Sequence, residues 1–279
     1  MNITVSVTPL RAISFDTKTL SIFTAEYSNL SDKDKRFGLT GDLSNQRVLD
    51  VGCGLGGTTI YYAERGAYQV IGIEISPIRA SSARALVQHH PMAGIIHFVI
   101  ADAARLPFRN AVFDSVMSTD AWEHMLAPEV ALLECARVAK PEGRIVVTAV
   151  PFFSPWGAHA KRWLPIPWIQ VICPRHILFS ILSTIEQFRK VNEILPESVR
   201  IDWTHPNDPA HAQRLTVAVC EKYMLHSGLK VLKFNLVPIG LRYGRWIAWI
   251  MRYLVRWPVL RELLTGFVVI IARKPRPET

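Results

Sequence analysis

One stretch of the sequence decides the fold: Val48-Leu49-Asp50-Val51-Gly52-Cys53-Gly54-Leu55-Gly56-Gly57. An apolar run ends there in a glycine-rich turn, and a helical pattern follows from Thr58. Glycines allow the backbone to turn sharply and let a ligand approach the main chain closely. A strand that leads through such a turn into a helix predicts a ligand site at the carboxyl end of the strand.

Strands and helices alternate outward from this stretch. Apolar runs predict seven strands, at 47–51, 68–75, 95–100, 112–118, 144–150, 230–238 and 266–273. Helical patterns separate the first five strands, which predicts parallel βαβ units. Continuous apolar runs such as 145–150 suit strands that helices cover on both faces. We therefore expect a doubly wound, mostly parallel α/β sheet.

The pattern predicts a single domain over residues 1–279 with four parts. These parts are an N-terminal helical cap (1–45), the half that carries the glycine loop (46–150), an insertion (151–209) and the C-terminal part of the sheet (210–279). The insertion is rich in Pro and Trp and shows no strand alternation, so we expect it to be irregular and partly helical.

Composition narrows the class of protein. The chain is 49% apolar and 20% charged, which is typical of globular domains. Its four cysteines lie far apart and show no zinc-binding spacing, which predicts a reducing compartment and no structural metal. There is no signal-peptide core and no apolar run of about 18 residues, so we expect a cytoplasmic protein without a spanning helix. The net charge of +9 is compatible with binding to nucleic acid, to a membrane surface or to an anionic substrate, and also with a role in solubility alone.

Two nucleotide cofactors are candidates for the glycine loop. Gly52, Gly54 and Gly57 satisfy the GxGxxG pattern of dinucleotide-binding domains. Glu74 ends the second strand, 22 residues after Gly52, where its carboxylate would accept the ribose hydroxyls of either ligand. Glu74 therefore supports an adenosine ligand without choosing between NAD and S-adenosylmethionine.

Two further acids favour S-adenosylmethionine. Asp50 lies within the first strand, two residues before Gly52, where a pyrophosphate has no use for a carboxylate. A cationic amino-acid group does, because a neighbouring acid offsets the cost of its desolvation. Asp102 follows the third strand, where it can accept a hydrogen bond from an adenine amino group.

Four segments taken together resemble the successive motifs of class I S-adenosylmethionine-dependent methyltransferases. They are VLDVGCGLGG, GIEIS, ADAARLPF and FDSVMSTDAWEH. The similarity is strong over residues 46–150, weak over the last two strands, and greatest to the type 11 methyltransferase domain. It implies a Rossmann-like methyltransferase sheet with an antiparallel C-terminal strand, and S-adenosylmethionine as the cofactor.

The resemblance also implies roles for residues around the methionine and ribose parts of the cofactor. Gly52, Gly54 and Gly56 belong to the loop that would pack against the methionine part. Asp50 would orient its amino group, and Glu74 would hold the ribose hydroxyls.

A second set of roles concerns the adenine and the methyl exit. Ile75 would lie against the adenine face. Asp102 would contact the adenine amino group, and the Ala103 backbone a ring nitrogen. Ser118 and Asp120 would border the methionine carboxylate and the methyl exit.

Two histidines are candidates for a general base, which helps when the methyl acceptor is a hydroxyl. His124 follows the fourth strand, and His159 follows the fifth. A structural role for His124 and a position away from the crevice for His159 remain open. The chemistry requires no metal, and we slightly favour oxygen over nitrogen or carbon as the acceptor atom.

The acceptor is expected to be a small or lipid-linked molecule. Nucleic-acid amino-methyltransferases of this fold carry an Asn/Asp-Pro-Pro-aromatic signature after the fourth strand, where this chain has 118–121, Ser-Thr-Asp-Ala. A nucleic-acid partner is therefore disfavoured. The aromatic residues of the insertion suit an apolar or ring-shaped acceptor, or the insertion's own small core: Trp156, Trp163, Trp168, Phe179 and Trp203.

The segment 241–257 has the pattern of a basic amphipathic helix. At about 100° per residue, four arginines fall within an arc of roughly 80° beside Trp246, Trp249 and Tyr253. These arginines are Arg242, Arg245, Arg252 and Arg256. The pattern is consistent with peripheral membrane contact, with an anionic soluble acceptor, and with a solvated surface helix.

Two other functions stay open at this point. An NAD-dependent oxidoreductase would use the same glycine pattern and Glu74, although no second mononucleotide-binding half follows the fifth strand. A non-catalytic protein that binds S-adenosylmethionine would keep the same motifs. The sequence does not indicate an oligomeric state.

Overall fold

A computed structural model describes residues 17–155, 157, 164–192, 214–239 and 245–276. It contains a seven-stranded sheet of order β3-β2-β1-β4-β5-β7-β6. The strands are β1 (Arg47–Val51), β2 (Gln69–Glu74), β3 (Ile96–Ile100), β4 (Phe113–Thr119), β5 (Ala139–Ala149), β6 (Lys230–Pro238) and β7 (Thr265–Arg273). The helices are α1 (Thr17–Phe37), α2 (Gly57–Glu64), α3 (Pro77–Val87), α4 (Pro128–Val138), α5 (Ile169–Ile172), α6 (Arg175–Asn192), α7 (Val217–His226), α8 (Arg245–Leu254) and α9 (Pro258–Leu264).

The strand pairing confirms the predicted fold class. β2 runs parallel to both β1 and β3, and β5 runs parallel to β4. β7 runs antiparallel to both β5 and β6, so the reversed strand near the C-terminus is present as expected. The described residues divide into two compact units, the first holding 17–103 and the second most of the remainder.

In the first unit, helix α1 packs on α2 above the buried strands β1 and β2. The rings of Tyr27 and Tyr61 meet edge to face with centroids 5.3 Å apart. The Tyr27 hydroxyl donates to Glu64 (2.6 Å), and the Tyr61 hydroxyl donates to Asp34 (2.9 Å). These contacts between α1 and α2 fix the N-terminal helix beside the start of α2.

In the second unit, polar contacts anchor the loops around β4, β5 and β7. The Arg137 guanidinium donates to the carbonyls of Leu106 and Phe108 and to Glu134, which ties the segment before β4 to α4. The Gln170 amide donates to the carbonyls of Phe152 and Ser154. Buried Gln170 therefore holds helix α5 against the start of the insertion, where the chain leaves β5.

The C-terminal part departs from the expectations in its boundaries. β5 begins at Ala139, five residues before the predicted start, because the chain pairs with β4 at Phe113 before the register shifts. Of the helix predicted over 241–257, the described residues form α8 from Arg245 to Leu254, and a separate helix, α9, begins at Pro258. Over the described parts of the chain, no helix is long and apolar enough to cross a membrane.

Candidate active site

The glycine loop forms the turn that the sequence predicts. Gly52, Gly54 and Gly56 all have positive φ, at 79°, 57° and 89°, in a region that L side chains rarely adopt. The N–H groups of Gly52 and Cys53 both donate to the carbonyl of Ile73, which joins the loop to β2. The loop is thereby held at the carboxyl end of β1.

Glu74 lies at the end of β2 with its carboxylate on this loop. It accepts from the Gly54 N–H at 3.2 Å and from the Ser76 N–H at 2.9 Å. The next residue, Ile75, is 62% exposed although it is large and apolar. The end of β2 therefore offers a ligand two kinds of contact, a buried carboxylate at Glu74 and an exposed apolar side chain at Ile75.

Asp50 is fully buried beneath the loop. One of its oxygens, Oδ2, accepts from the hydroxyls of Thr58 and Thr59, each at 2.7 Å. Burial raises the pKa of Asp50 to about 6 against the effect of these hydrogen bonds, and the charge of Glu74 raises it further. The carboxylate thus binds the first turn of α2 to β1, a structural role that the sequence alone did not predict.

Glu26 of α1 is the site residue that sequence reasoning missed. Its Oε1 accepts from the Leu55 N–H and its Oε2 from the Gly57 N–H, each at 3.1 Å. Burial raises the pKa of Glu26 to about 7, two backbone hydrogen bonds lower it, and the charge of Asp50 raises it. Three carboxylates, of Glu26, Asp50 and Glu74, therefore surround one short loop.

Other residues of the loop serve packing. A Cβ on Gly56 would lie 2.9 Å from Phe98 Cζ, so this glycine allows the loop to approach β3. Cys53 is buried, and a Cβ on Gly72 would lie 2.8 Å from its sulfur. Burial raises the pKa of the Cys53 thiol well above its usual range, and the surrounding acids add to this effect. Cys53 is therefore a small buried side chain with little thiolate character.

Asp102 and Ala103 follow β3, as predicted. Asp102 is exposed and Ala103 is half-buried. The N–H of Ala101 donates to the carbonyl of Glu74 at 3.2 Å, so the chain after β3 is joined to the end of β2. Their roles toward adenine stay predictions.

In the second unit, Ser118 and Asp120 lie at the end of β4. Asp120 has a positive φ of 51°, and its N–H donates to both the carbonyl and the hydroxyl of Thr148. The Thr148 hydroxyl in turn donates to Asp120 Oδ1 at 2.9 Å. Ser118 is buried, and its hydroxyl has no hydrogen-bond partner among the described residues.

The motif Trp122-Glu123-His124 forms a short 3₁₀ turn after β4. Trp122 is buried and donates through Nε1 to the carbonyl of Pro128 at 2.8 Å, and buried Glu123 accepts from the Val150 N–H at 3.1 Å. His124 is half-buried. The first two residues therefore shape the turn and present His124, while His159 lies outside the described residues.

Comparison with known proteins places these features in a family. Residues 49–147 match the family described as a methyltransferase domain, of type 11. A tocopherol O-methyltransferase from Arabidopsis thaliana is 39% identical over 196 residues, which are 67% of this chain and 56% of that protein. A norajmaline N-methyltransferase from Rauvolfia serpentina is 27% identical over 199 residues, which are 69% of this chain and 68% of that protein. The chain thus spans about half to two thirds of the length of these relatives.

Solved structures share the fold at low sequence identity. A geranyl diphosphate C-methyltransferase from Streptomyces coelicolor matches with a TM-score of 0.54 and 14% identity, over 96% of this chain and 89% of that one. A [4+2]-cyclase matches with a TM-score of 0.54 and 19% identity, over 88% and 82% of the two chains. At such identities the likeness concerns the fold alone, and the cyclase shows that one fold hosts different chemistries. With its matched residues, sheet order and glycine loop, the chain carries a class I S-adenosylmethionine-dependent methyltransferase domain of the type 11 group over residues 49–147.

Proposed function

We propose that this chain is an enzyme that transfers a methyl group from S-adenosylmethionine to a small-molecule acceptor. The observation that carries the proposal is the group of three carboxylates, Glu26, Asp50 and Glu74, around the glycine loop. Carboxylates brought together in a buried site repel one another and favour a ligand with positive charge. S-adenosylmethionine supplies an ammonium and a sulfonium, and so it fits this site.

The same geometry argues against the NAD-dependent alternative. A pyrophosphate is bound by free backbone N–H groups at the start of the helix after the glycine loop. Here the N–H groups of Leu55 and Gly57 already donate to Glu26, and the Gly54 N–H donates to Glu74. A dianionic pyrophosphate would have to displace two carboxylates and approach Asp50.

Within the proposal, the cofactor-binding residues keep their sequence-derived roles. Gly52, Gly54 and Gly56 shape the loop, and Asp50 acts on the amino group through its charge and through the position of α2. The ribose would lie on Glu74 with the adenine on Ile75, and the remaining contacts would come from Asp102, Ala103, Ser118 and Asp120.

When bound, the cofactor supplies an electrophilic methyl group on a positively charged sulfur. The protein's part is to hold the acceptor in line and to exclude water, and such positioning contributes about 7–11 kcal/mol. For a hydroxyl acceptor, which we favour, His124 or His159 would take the proton. An imidazole suits this step because its ordinary pKa lies near neutrality.

Two properties support a lipid-linked acceptor and contact with a membrane surface. A relative from Synechocystis, 32% identical over 171 residues, is a 2-methyl-6-phytyl-1,4-hydroquinone methyltransferase, so its acceptor bears a hydrocarbon tail. On α8, Trp246 and Trp249 are 79% and 65% exposed, and Arg252 is exposed on the same helix. Exposed tryptophans beside arginines are typical of helices at the surface of anionic membranes. These properties support peripheral contact with a membrane, and the cytoplasm stays the expected location from the sequence.

Calorimetry with S-adenosylhomocysteine and, in parallel, with NAD tests the cofactor assignment. We expect binding of the first ligand alone, strongly weakened in Glu74→Ala, which removes the ribose acceptor, and in Gly54→Val, which places a side chain against Glu26. Absence of S-adenosylhomocysteine binding at millimolar concentration would refute the proposal. Binding without transfer to any of a broad panel of acceptors would favour the non-catalytic alternative.

Sedimentation with anionic liposomes tests the membrane contact. We expect binding at low salt that falls in Trp246→Ala/Trp249→Ala and in Arg252→Gln/Arg256→Gln, since each arginine near an anionic surface contributes about 1 kcal/mol. The matched control, Lys35→Gln/Arg36→Gln, removes two exposed charges from α1 and should bind like the wild type. If all variants sediment equally, α8 is a solvated surface helix.

A further inference from the structure

Helix α1 brings one acid, Glu26, onto the glycine loop from outside the cofactor-binding motifs. Its carboxylate accepts from the Leu55 and Gly57 N–H groups, 29 and 31 residues away in sequence. A Cβ on Gly54 would overlap its Oε1, so the carboxylate lies directly against Gly54. The acid therefore lies against the loop backbone at Gly54, Leu55 and Gly57.

The carboxylates of Glu26 and Glu74 lie next to each other along the loop. The Gly54 N–H donates to Glu74 and the following N–H, of Leu55, donates to Glu26. Consecutive residues are about 3.8 Å apart along the chain, so one small ligand can contact both acids. Glu74 lies where it can accept hydrogen bonds from the ribose hydroxyls of the ligand. Glu26 can then contact a group that lies a few atoms further along the same ligand.

Glu26 also keeps the capacity to bind a cation. Each oxygen of a carboxylate can accept about two hydrogen bonds, and the contacts with the Leu55 and Gly57 N–H groups use one at each oxygen. The charged groups that act on Glu26 are Asp50 of β1, which raises its pKa, and Arg79 of α3, which has the weaker, opposite effect. The neighbourhood is thus net negative, and a ligand cation would be stabilised there.

We propose that Glu26 is a specificity-determining residue that binds the ammonium of the cofactor's amino-acid end. By accepting hydrogen bonds from the loop N–H groups, it also prevents phosphates from binding to them. The proposal rests on the proposed function, because it takes S-adenosylmethionine as the ligand. It assigns to α1 a direct part in cofactor selection rather than a purely structural one.

Two ligands separate this role from a structural one. S-adenosylhomocysteine carries the amino-acid end, whereas 5′-methylthioadenosine has the same adenosine and lacks it. Calorimetry on Glu26→Gln should show an affinity for S-adenosylhomocysteine lower by about tenfold or more, since a hydrogen bond to a charged group is lost. The affinity for 5′-methylthioadenosine should stay within about twofold of the wild type.

Two control variants complete the experiment. Asp32→Asn removes an exposed acid of the same helix and should leave both affinities unchanged. Tyr27→Phe removes the hydrogen bond to Glu64 and so loosens α1 without changing the carboxylate. If Glu26→Gln weakens both ligands equally, or if Tyr27→Phe reproduces its effect, Glu26 acts only through helix packing and the proposal is wrong. If the wild type binds neither ligand, the proposed function itself fails.

Discussion

Replacing Gly57 by alanine should detach α1 from the glycine loop. A Cβ at this position would overlap the backbone oxygen of Phe23 and lie 2.8 Å from Glu26 Cβ and 2.9 Å from the Tyr27 nitrogen. Two of these three atoms belong to the backbone of α1, so no change of side-chain rotamer can relieve the overlap. The helix must move as a body, and Glu26 must move with it.

The expected cost follows from two opposing effects. Overpacking of a well-packed contact costs about 1–3 kcal/mol. Alanine in place of glycine gains at most about 1 kcal/mol in helix propensity, and less at Gly57 because it is the first residue of α2. If α1 shifts far enough to break the Glu26 contacts, each lost hydrogen bond to the carboxylate adds about 1.5–3 kcal/mol. We therefore expect the free energy of unfolding to fall by about 1–3 kcal/mol, less the small propensity gain, if the Glu26 contacts persist, and by about 3–6 kcal/mol more if both contacts break.

Urea unfolding followed by circular dichroism measures this loss, with Gly94→Ala as the matched control. A Cβ on Gly94 would meet no atom within 4 Å, and its φ is not positive, so that variant should stay within about 0.5 kcal/mol of the wild type. Equal unfolding midpoints for the two variants would refute the packing argument. The Gly57→Ala protein should also bind S-adenosylhomocysteine more weakly, because Glu26 is displaced.

Three further outcomes are expected. The free protein should lose stability as the pH rises, because Glu26 and Asp50 hold their protons more tightly when folded, with pKa values of about 7 and 6. The stability that their protonated forms contribute is complete below about pH 4 and is lost as the pH rises through 6–7. Thermal melts between pH 4.5 and 8 measure this loss. Asp34→Asn should cost about 1–3 kcal/mol in urea unfolding, because Asp34 accepts from the Thr40 N–H and hydroxyl, and a change within the wild-type error would contradict this. Cys53 should resist alkylation in the native protein and react only after unfolding, as mass spectrometry of the labelled peptide would show.

The sheet could be predicted from the sequence because its signals are local. Buried strands such as Val48–Val51 read as continuous apolar runs, and glycines mark the turn that follows. Strand ends also fix where Glu74 and Asp102 lie, since parallel strands direct their carboxyl ends to the same edge. The early start of β5 was not predicted, because Lys140 to Gly143 carry no apolar strand pattern and lie where the register with β4 shifts.

The position of Glu26 could not be predicted in the same way. It lies in the middle of a helix whose own pattern indicates only an amphipathic segment, and its partners are about thirty residues away. The one local signal for a close contact at this place is Gly57. It directly follows Gly56, and the turn itself does not require this second glycine at the start of α2. Only the packing of α1 on α2 shows that this glycine admits the backbone of another helix.

The cost of ionising Glu26 in the free protein and the preference of the site for a positively charged ligand have the same physical origin. A pKa raised from 4.5 to about 7 means that holding Glu26 ionised near neutral pH costs on the order of 3 kcal/mol in the free protein. A ligand that brings positive charge to the loop relieves this cost, whereas a pyrophosphate increases it. Because a ligand that binds only the folded state stabilises it by mass action, S-adenosylhomocysteine should raise the melting temperature more at pH 8 than at pH 5.5. Glu26 and Asp50 thus lower the stability of the free protein and, by the same charge, should favour a cationic ligand over a dinucleotide.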